Sequence, residues 1–473
     1  MIGSSAAASM SMKESGSKRL EFPAAMILSE GKSTLWLAVP VVLAELGWMA
    51  MGVVDTVMVG RLGPEAIGAV GLGSSLHLAL IVFGYGLMLG LDSMVSRAFG
   101  RGDLEDCRRS LVQGLYLSLA ITPLLMGLVE LAVMILPRTG ITPEVRTLLG
   151  PYLRALNWST PFLMIHGTLR RYMLALGRAR AVMIALIAAN LINVIGNQAL
   201  IFGSWGAPEL GVTGSGWATM LARVGMAATL VASVAMLERS SGRGLRGLAV
   251  GPDWARLREL GALGLPAAVH VLLEAGVFAA ASALAGLFDA VSLAAHQVVL
   301  ESASVTFMVP YGVSSVAAVR VGHAVGRGEP DRAIAAGWAA LIVGEGFMAT
   351  AGLAFLLIPR TILGFYTRDS ATIDAGVTLF AIAACFQIFD GLQVISGGIL
   401  RGSGDTHSAM YVNLLAYWVL GLPIGVVLAF AMGRGVPGLW MGLSAGLMIA
   451  GPLLLRTWLR RAARLKSGGE RSG

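Results

Sequence analysis

GALGLPAAVHVLLEAGVFAAASALAGL, residues 261–287, carries the reading that decides the fold. Wound as a helix at about 1.5 Å per residue, it is long enough to cross the ~30 Å hydrocarbon core of a bilayer. It contains no Lys or Arg, yet it holds Glu274 and, four residues earlier on the same helix face, His270. Ionisable side chains inside a span are costly, so each is a functional candidate. Burial disfavours the charged form of both groups, and the pair is suited to trading a proton or holding a cation.

Working outward, about eleven further stretches of similar length and polarity punctuate the chain, the fourth expected at 152–174. Over 473 residues, 56% are hydrophobic and only 13% charged, with a mean hydropathy of +0.75. That excludes a soluble globular protein and indicates an all-α polytopic membrane protein whose first partner is the lipid bilayer. The net charge of +8 does not indicate nucleic acid, because the basic residues fall between the apolar runs. Arg97, Arg101, Arg108 and Arg109, then Arg170, Arg171, Arg178 and Arg180, then Arg239, Arg243, Arg246, Arg256 and Arg258 are expected in cytoplasmic loops, which puts both termini in the cytoplasm. The preponderance of Arg over Lys fits a GC-rich bacterial genome, and hence a bacterial inner membrane. Cys107 and Cys385 are placed too far apart to pair.

The chain repeats its layout at an offset of about 225 residues. Pro40 answers Pro266, Gly100-Arg101-Gly102-Asp103 answers Gly326-Arg327-Gly328-Glu329, Pro137-Arg138 answers Pro359-Arg360, Gly177 answers Gly402, and Gly211-Val212 answers Gly435-Val436. Two parallel six-helix lobes related by pseudo-twofold symmetry are expected, 35–237 and 261–458, joined by a cytoplasmic linker 238–260. A cytoplasmic tail, 1–34, precedes them with no apolar core and cleavage site, and a basic tail, 459–473, follows.

Within this plan the polar intramembrane residues form a short list. Asp390 sits with Gln387 and Gln393 on about a third of a helix circumference, a polar wall facing inward. Asp55 closes span 1 and is open to reading as an interfacial cap. Asn190, Asn193 and Asn197 form a stripe that either bonds neighbouring helices or lines a cavity. Of Glu45, Glu130, Glu301 and Glu345, the second and last are read as structural, while Glu301, on the helix that carries His296 and Gln297, is a cavity candidate. Among spans, basic residues are read only at Arg154 and Arg223. Phosphate-cradling loops, paired metal-ligand spacings and nucleophile–base pairs are all missing, so no enzyme and no cofactor are expected.

The stretches Pro40 to Gly60, Gly206 to Gly211, Glu274 with Phe278, Ala294-Ala295-His296-Gln297-Val298, Val319 to His323, Asp390 to Gly402 and Tyr417 to Pro423 resemble the multidrug and toxic compound extrusion (MATE) transporters, NorM-type branch. The resemblance implies a V-shaped pair of lobes that exports amphipathic, often cationic, drugs in exchange for Na⁺ or H⁺, working as a monomer. It implies that Glu274 and Asp390 form the cation site of the second lobe, a metal site only if Na⁺ is the coupling ion. Asp55 is then the functional acid of the first, faced by Asn193 and Asn197. Asn190, His270, Gln297, Glu301, Gln387 and Gln393 are the expected lining or coupling residues. Phe386 stands where such proteins can carry a Tyr, which removes a hydroxyl and leaves Na⁺ and H⁺ both open. A lipid-linked saccharide flippase is the alternative, disfavoured by the acidic cast of the spans.

Overall fold

The structure, a computed structural model, describes residues 24–138, 141–240 and 251–469. Most of the expected linker and the outer parts of both tails, including Arg243 and Arg246, lie outside the described residues. In the first half run α1 (Ala24–Val59), α2 (Pro64–Leu87), α3 (Gly90–Gly100), α4 (Leu104–Ile135), α5 (Pro143–Asn157), α6 (Thr160–Ala175), α7 (Ala179–Phe202) and α8 (Val212–Ser240). The second half comprises α9 (Trp254–Ala285), α10 (Ala290–Arg327), α11 (Pro330–Leu357), α12 (Pro359–Tyr366), α13 (Ser370–Gly402), α14 (His407–Asn413), α15 (Leu422–Val426) and α16 (Gly435–Gly469). No strand occurs among the described residues. Helix is what lipid demands, since each backbone donor must find its partner within the segment.

Eleven helical segments among the described residues are long and apolar enough to cross a membrane. Large apolar side chains such as Ile184, Leu191, Leu356 and Val419 stand exposed on them, the surface expected against lipid rather than water. The expected span 152–174 is instead broken between α5 and α6, at Trp158 and Ser159. Further along, the helix loosens into π turns at Leu414–Gly421 and Val427–Ala431, on either side of Pro423.

The duplication is visible in the backbone. Gly102 and Gly328, matched in the repeat, both end a helix at positive φ, +77° and +70°, where a Cβ would be strained. The partner of Gly177 (φ +71°) proves to be Gly404 (φ +88°), because Gly402 lies inside α13 and packs on Ala318. Packing repeats too: α1 lies on α7 as α9 lies on α14, and α7 on α8 as the 414–431 run on α16.

The two halves meet where α3 crosses α10, with α1 against α10 and α11 and α2 against α9. A Cβ on Gly100 would stand 2.3 Å from the His323 carbonyl oxygen, so α3 and α10 touch backbone to backbone. Arg401 of α13 donates to Asp92 of α3 at 3.0 Å, and Arg171 of α6 reaches the same carboxylate oxygen at 3.3 Å. Arg170 and Arg171 are therefore not loop residues. Both are buried in α6, Arg170 paired to Glu45 and hydrogen-bonded to the Tyr85 hydroxyl at 3.0 Å. The described start of the chain is tied to α10 and α11 through Glu30, Arg320 and Arg332, and its end to α11 through Lys466 and Asp331 at 3.1 Å, so both lie at one end of the molecule.

Candidate functional site

Between the halves lies a cavity of about 420 Å³. Its walls are mostly apolar and aromatic, including Trp48 and Tyr85 from the first half and Phe278, Phe307 and Phe386 from the second. Four charged side chains reach it: Glu45, Arg170, Glu274 and Asp390. The first two neutralise each other as a buried pair. Arg170 is thus a basic residue of the lining, beyond the Arg154 and Arg223 expected within the spans.

Glu274 and Asp390 have no such partner. Glu274 Oε2 is 3.7 Å from His270 Nε2, beyond hydrogen-bond range, and its Oε1 is buried without a donor. Asp390 is 3% exposed and its Oδ1 is likewise without a donor. His270 turns instead toward Gln393, 3.4 Å away, while Gln387 donates to Thr306 at 2.5 Å. The polar wall expected on α13 exists, but of its members only Asp390 lines the cavity, joined by Phe386. A buried carboxylate oxygen without a donor is costly until a cation or proton meets it. Among the described residues no three His, Cys, Asp or Glu converge as a metal cluster.

The first-half acid is built differently. Asp55, 4% exposed, accepts from Asn193 at 2.9 Å and Asn197 at 2.6 Å through one oxygen, and from the Thr219 hydroxyl at 2.8 Å through the other. It joins α1, α7 and α8 and is no interfacial cap. Asn190, at the edge of the stripe, bonds the Gly47 carbonyl at 3.0 Å and so serves helix packing rather than the cavity.

Two expected lining residues fall away. Gln297 and Glu301 stand exposed on α10, while Leu300 and Ala303 of the same helix face the cavity. Their neighbour His296 is a satisfied core histidine, within 2.9 Å of the Ser282 hydroxyl and accepting from Trp440 at 3.0 Å. Glu130 is paired with Arg154 at 2.8 Å, as a structural acid should be. Three residues were missed. Thr219 and Tyr85 give no polar pattern of their own in sequence, and Tyr417 sits in a π turn with its buried hydroxyl unpartnered. The next residue, Trp418, donates to the carbonyl of Leu273 at 3.0 Å and so fixes this turn beside Glu274.

This architecture has close counterparts. A family model described as MatE matches the chain twice, over residues 40–198 and 266–427, as a duplicated chain requires. A protein of Mesorhizobium japonicum called probable multidrug resistance protein NorM is 39% identical over 91% of this chain and 94% of its own. A protein of the same description from Bradyrhizobium diazoefficiens is 36% identical over 93% and 95%. Among solved structures, the eukaryotic MATE transporter AtDTX14 superposes with a TM-score of 0.83 at 21% identity, over 94% of this chain and all of that one. An outward-facing conformation of a multidrug resistance MATE family transporter gives 0.84 at 18%, over 93% and 97%. The two matches of one model, with relatives similar over nearly their whole length, place this multi-pass membrane protein: the chain belongs to the MatE family.

Proposed function

We propose that this protein is a multidrug efflux transporter that exports amphipathic organic cations by antiport with an inward-moving monovalent cation. The observation that carries the reading is the pair of donor-free carboxylates, Glu274 and Asp390, in the wall of an aromatic cavity shared by both halves. Aromatic faces attract organic cations without demanding one shape, and the acids add the charge. Drug and coupling cation then compete for the same negative charge, which gives exchange rather than symport.

A cation shifts the equilibrium between two arrangements only if it binds them differently. In the arrangement seen here, the end that carries both described chain ends is closed by Asp92, Arg171 and Arg401 and by the α3–α10 backbone contact. We place that end in the cytoplasm of a bacterial inner membrane and take 35–237 and 261–458 as the moving lobes of a monomer. Asp55 is assigned to holding α1, α7 and α8 together in this state. One elementary charge falling through 100 mV supplies roughly 2.3 kcal/mol, enough for less than about a 50-fold gradient of a neutral substrate. An imposed ion gradient or a second ion extends it.

The flippase alternative needs a cationic lining for phosphate, and the one Arg in the cavity is neutralised by Glu45. Ethidium efflux from proteoliposomes, with Na⁺ and pH gradients imposed separately, tests the proposal. Export driven by one of the two gradients is expected. Efflux indifferent to both would refute antiport.

A further inference from the structure

We propose that Glu345 is a second cation-accepting carboxylate behind Asp390, so that the acids of the second half load two monovalent cations in each cycle. The inference rests on the antiport reading above and extends it. Each fully buried glutamate among the described residues holds an arginine: Glu30 pairs with Arg320 and Arg332, Glu45 with Arg170, and Glu238 with Arg108, whereas Glu274 and the half-buried Glu345 do not. Glu345 has no partner at all. Both its carboxylate oxygens are shielded from solvent and accept no hydrogen bond.

Its seat is built into the neighbouring helix. A Cβ at Gly391 of α13 would stand 2.8 Å from Glu345 Oε1, so the carboxylate lies against the glycine surface of α13. The residue before that glycine is Asp390, 3% exposed, whose Oδ1 is also without a donor. Three helices, α9, α13 and α11, therefore contribute one carboxylate each that lacks a donor on at least one oxygen. No Lys or Arg among the described residues is bonded or paired to any of the three.

A purely structural role does not account for this arrangement. An uncompensated buried carboxylate is penalised by desolvation, and at Glu30, Glu45 and Glu238 that penalty is met by an arginine. A single cation held between Glu274 and Asp390 leaves Glu345 unmet. Two monovalent cations of one kind, both protons or both Na⁺, satisfy the three.

The test is the coupling ratio in proteoliposomes with the membrane potential clamped at zero. The steady ethidium ratio is followed against an imposed Na⁺ gradient at uniform pH and, separately, a pH gradient at uniform Na⁺. For the coupling ion, a tenfold gradient sustains about a 100-fold ethidium ratio with two cations and about a tenfold ratio with one. Wild-type protein is expected at the former, Glu345→Gln at the latter, and Glu345→Asp, which keeps the charge, near wild type. A wild-type ratio of about tenfold, or Glu345→Gln holding the 100-fold ratio, overturns the second acceptor while leaving antiport intact. A wild-type ratio that follows neither gradient removes both. Should Glu345→Gln fail to reconstitute, cation uptake per molecule of purified wild type decides: two supports the inference, one ends it.

Discussion

Asp55 and Asp390 occupy comparable depths of burial in the two halves, yet one is saturated with donors and the other is starved of them. Asp55 receives two amides and a hydroxyl from α7 and α8, whereas Asp390 and Glu274 face an aromatic cavity with bare oxygens. Duplication supplied the same scaffold twice, and the neighbours decide what an acid does in it. A filled carboxylate ties helices together. An unfilled one leaves its charge unmet.

The sharpest way to break this contrast is to convert a filled acid into an unfilled one. Arg170→Met strands Glu45 as a buried, unpaired charge and is expected to cost about 3–5 kcal/mol of stability. Glu45→Gln in the same chain should recover most of it, and the melting temperature in detergent reads both. Next in size, Glu274→Gln or Asp390→Asn should cut gradient-driven ethidium export by up to roughly 100-fold, the upper range of coupling between two ligands. Transport that persists undiminished in both variants sinks the role given to them.

Smaller but more discriminating is the stability of these variants without drug or gradient. Asp55→Asn keeps one oxygen for Asn193 and Asn197 but turns an NH2 toward the Thr219 hydroxyl and gives up the charge that strengthens all three bonds, and should destabilise by about 1–3 kcal/mol. Glu274→Gln removes a charge that nothing satisfies, and should leave the melting temperature equal or higher. The opposite ordering would show that Asp55 is the unsatisfied acid. Smallest of all, Asn190→Ala loses one interhelical bond to Gly47, about 0.6 kcal/mol, with export unchanged.

Much of this was legible before any coordinates. Apolar length located the spans, and the Gly102 and Gly328 turns followed from a repeat visible in sequence. The Asn193 and Asn197 spacing put two amides on one face, and the resemblance to a known family turned that face toward Asp55. What stayed hidden depends on neighbours far away in sequence. Arg170 and Arg171 look like loop charges until Glu45 and Asp92 arrive from other helices. Glu345 looks like Glu130, and only the packing of α11 on α13 shows that one has an arginine and the other a glycine. Gln297 and Glu301 share a helix with true lining residues, but helical rotation turns them away.

The central claim, that the unfilled acids and not the filled one take the coupling cation, is tested most directly by titrating purified protein with Na⁺ and with protons while following thermal stability. A ligand bound only to the folded state at 100 times its dissociation constant stabilises by about 2.7 kcal/mol. The account predicts that wild type and Asp55→Asn gain this protection from one of the two cations, and that the triple variant Glu274→Gln, Asp390→Asn, Glu345→Gln, which removes all three unfilled acids, gains none. Protection that survives in the triple variant and vanishes in Asp55→Asn would contradict it.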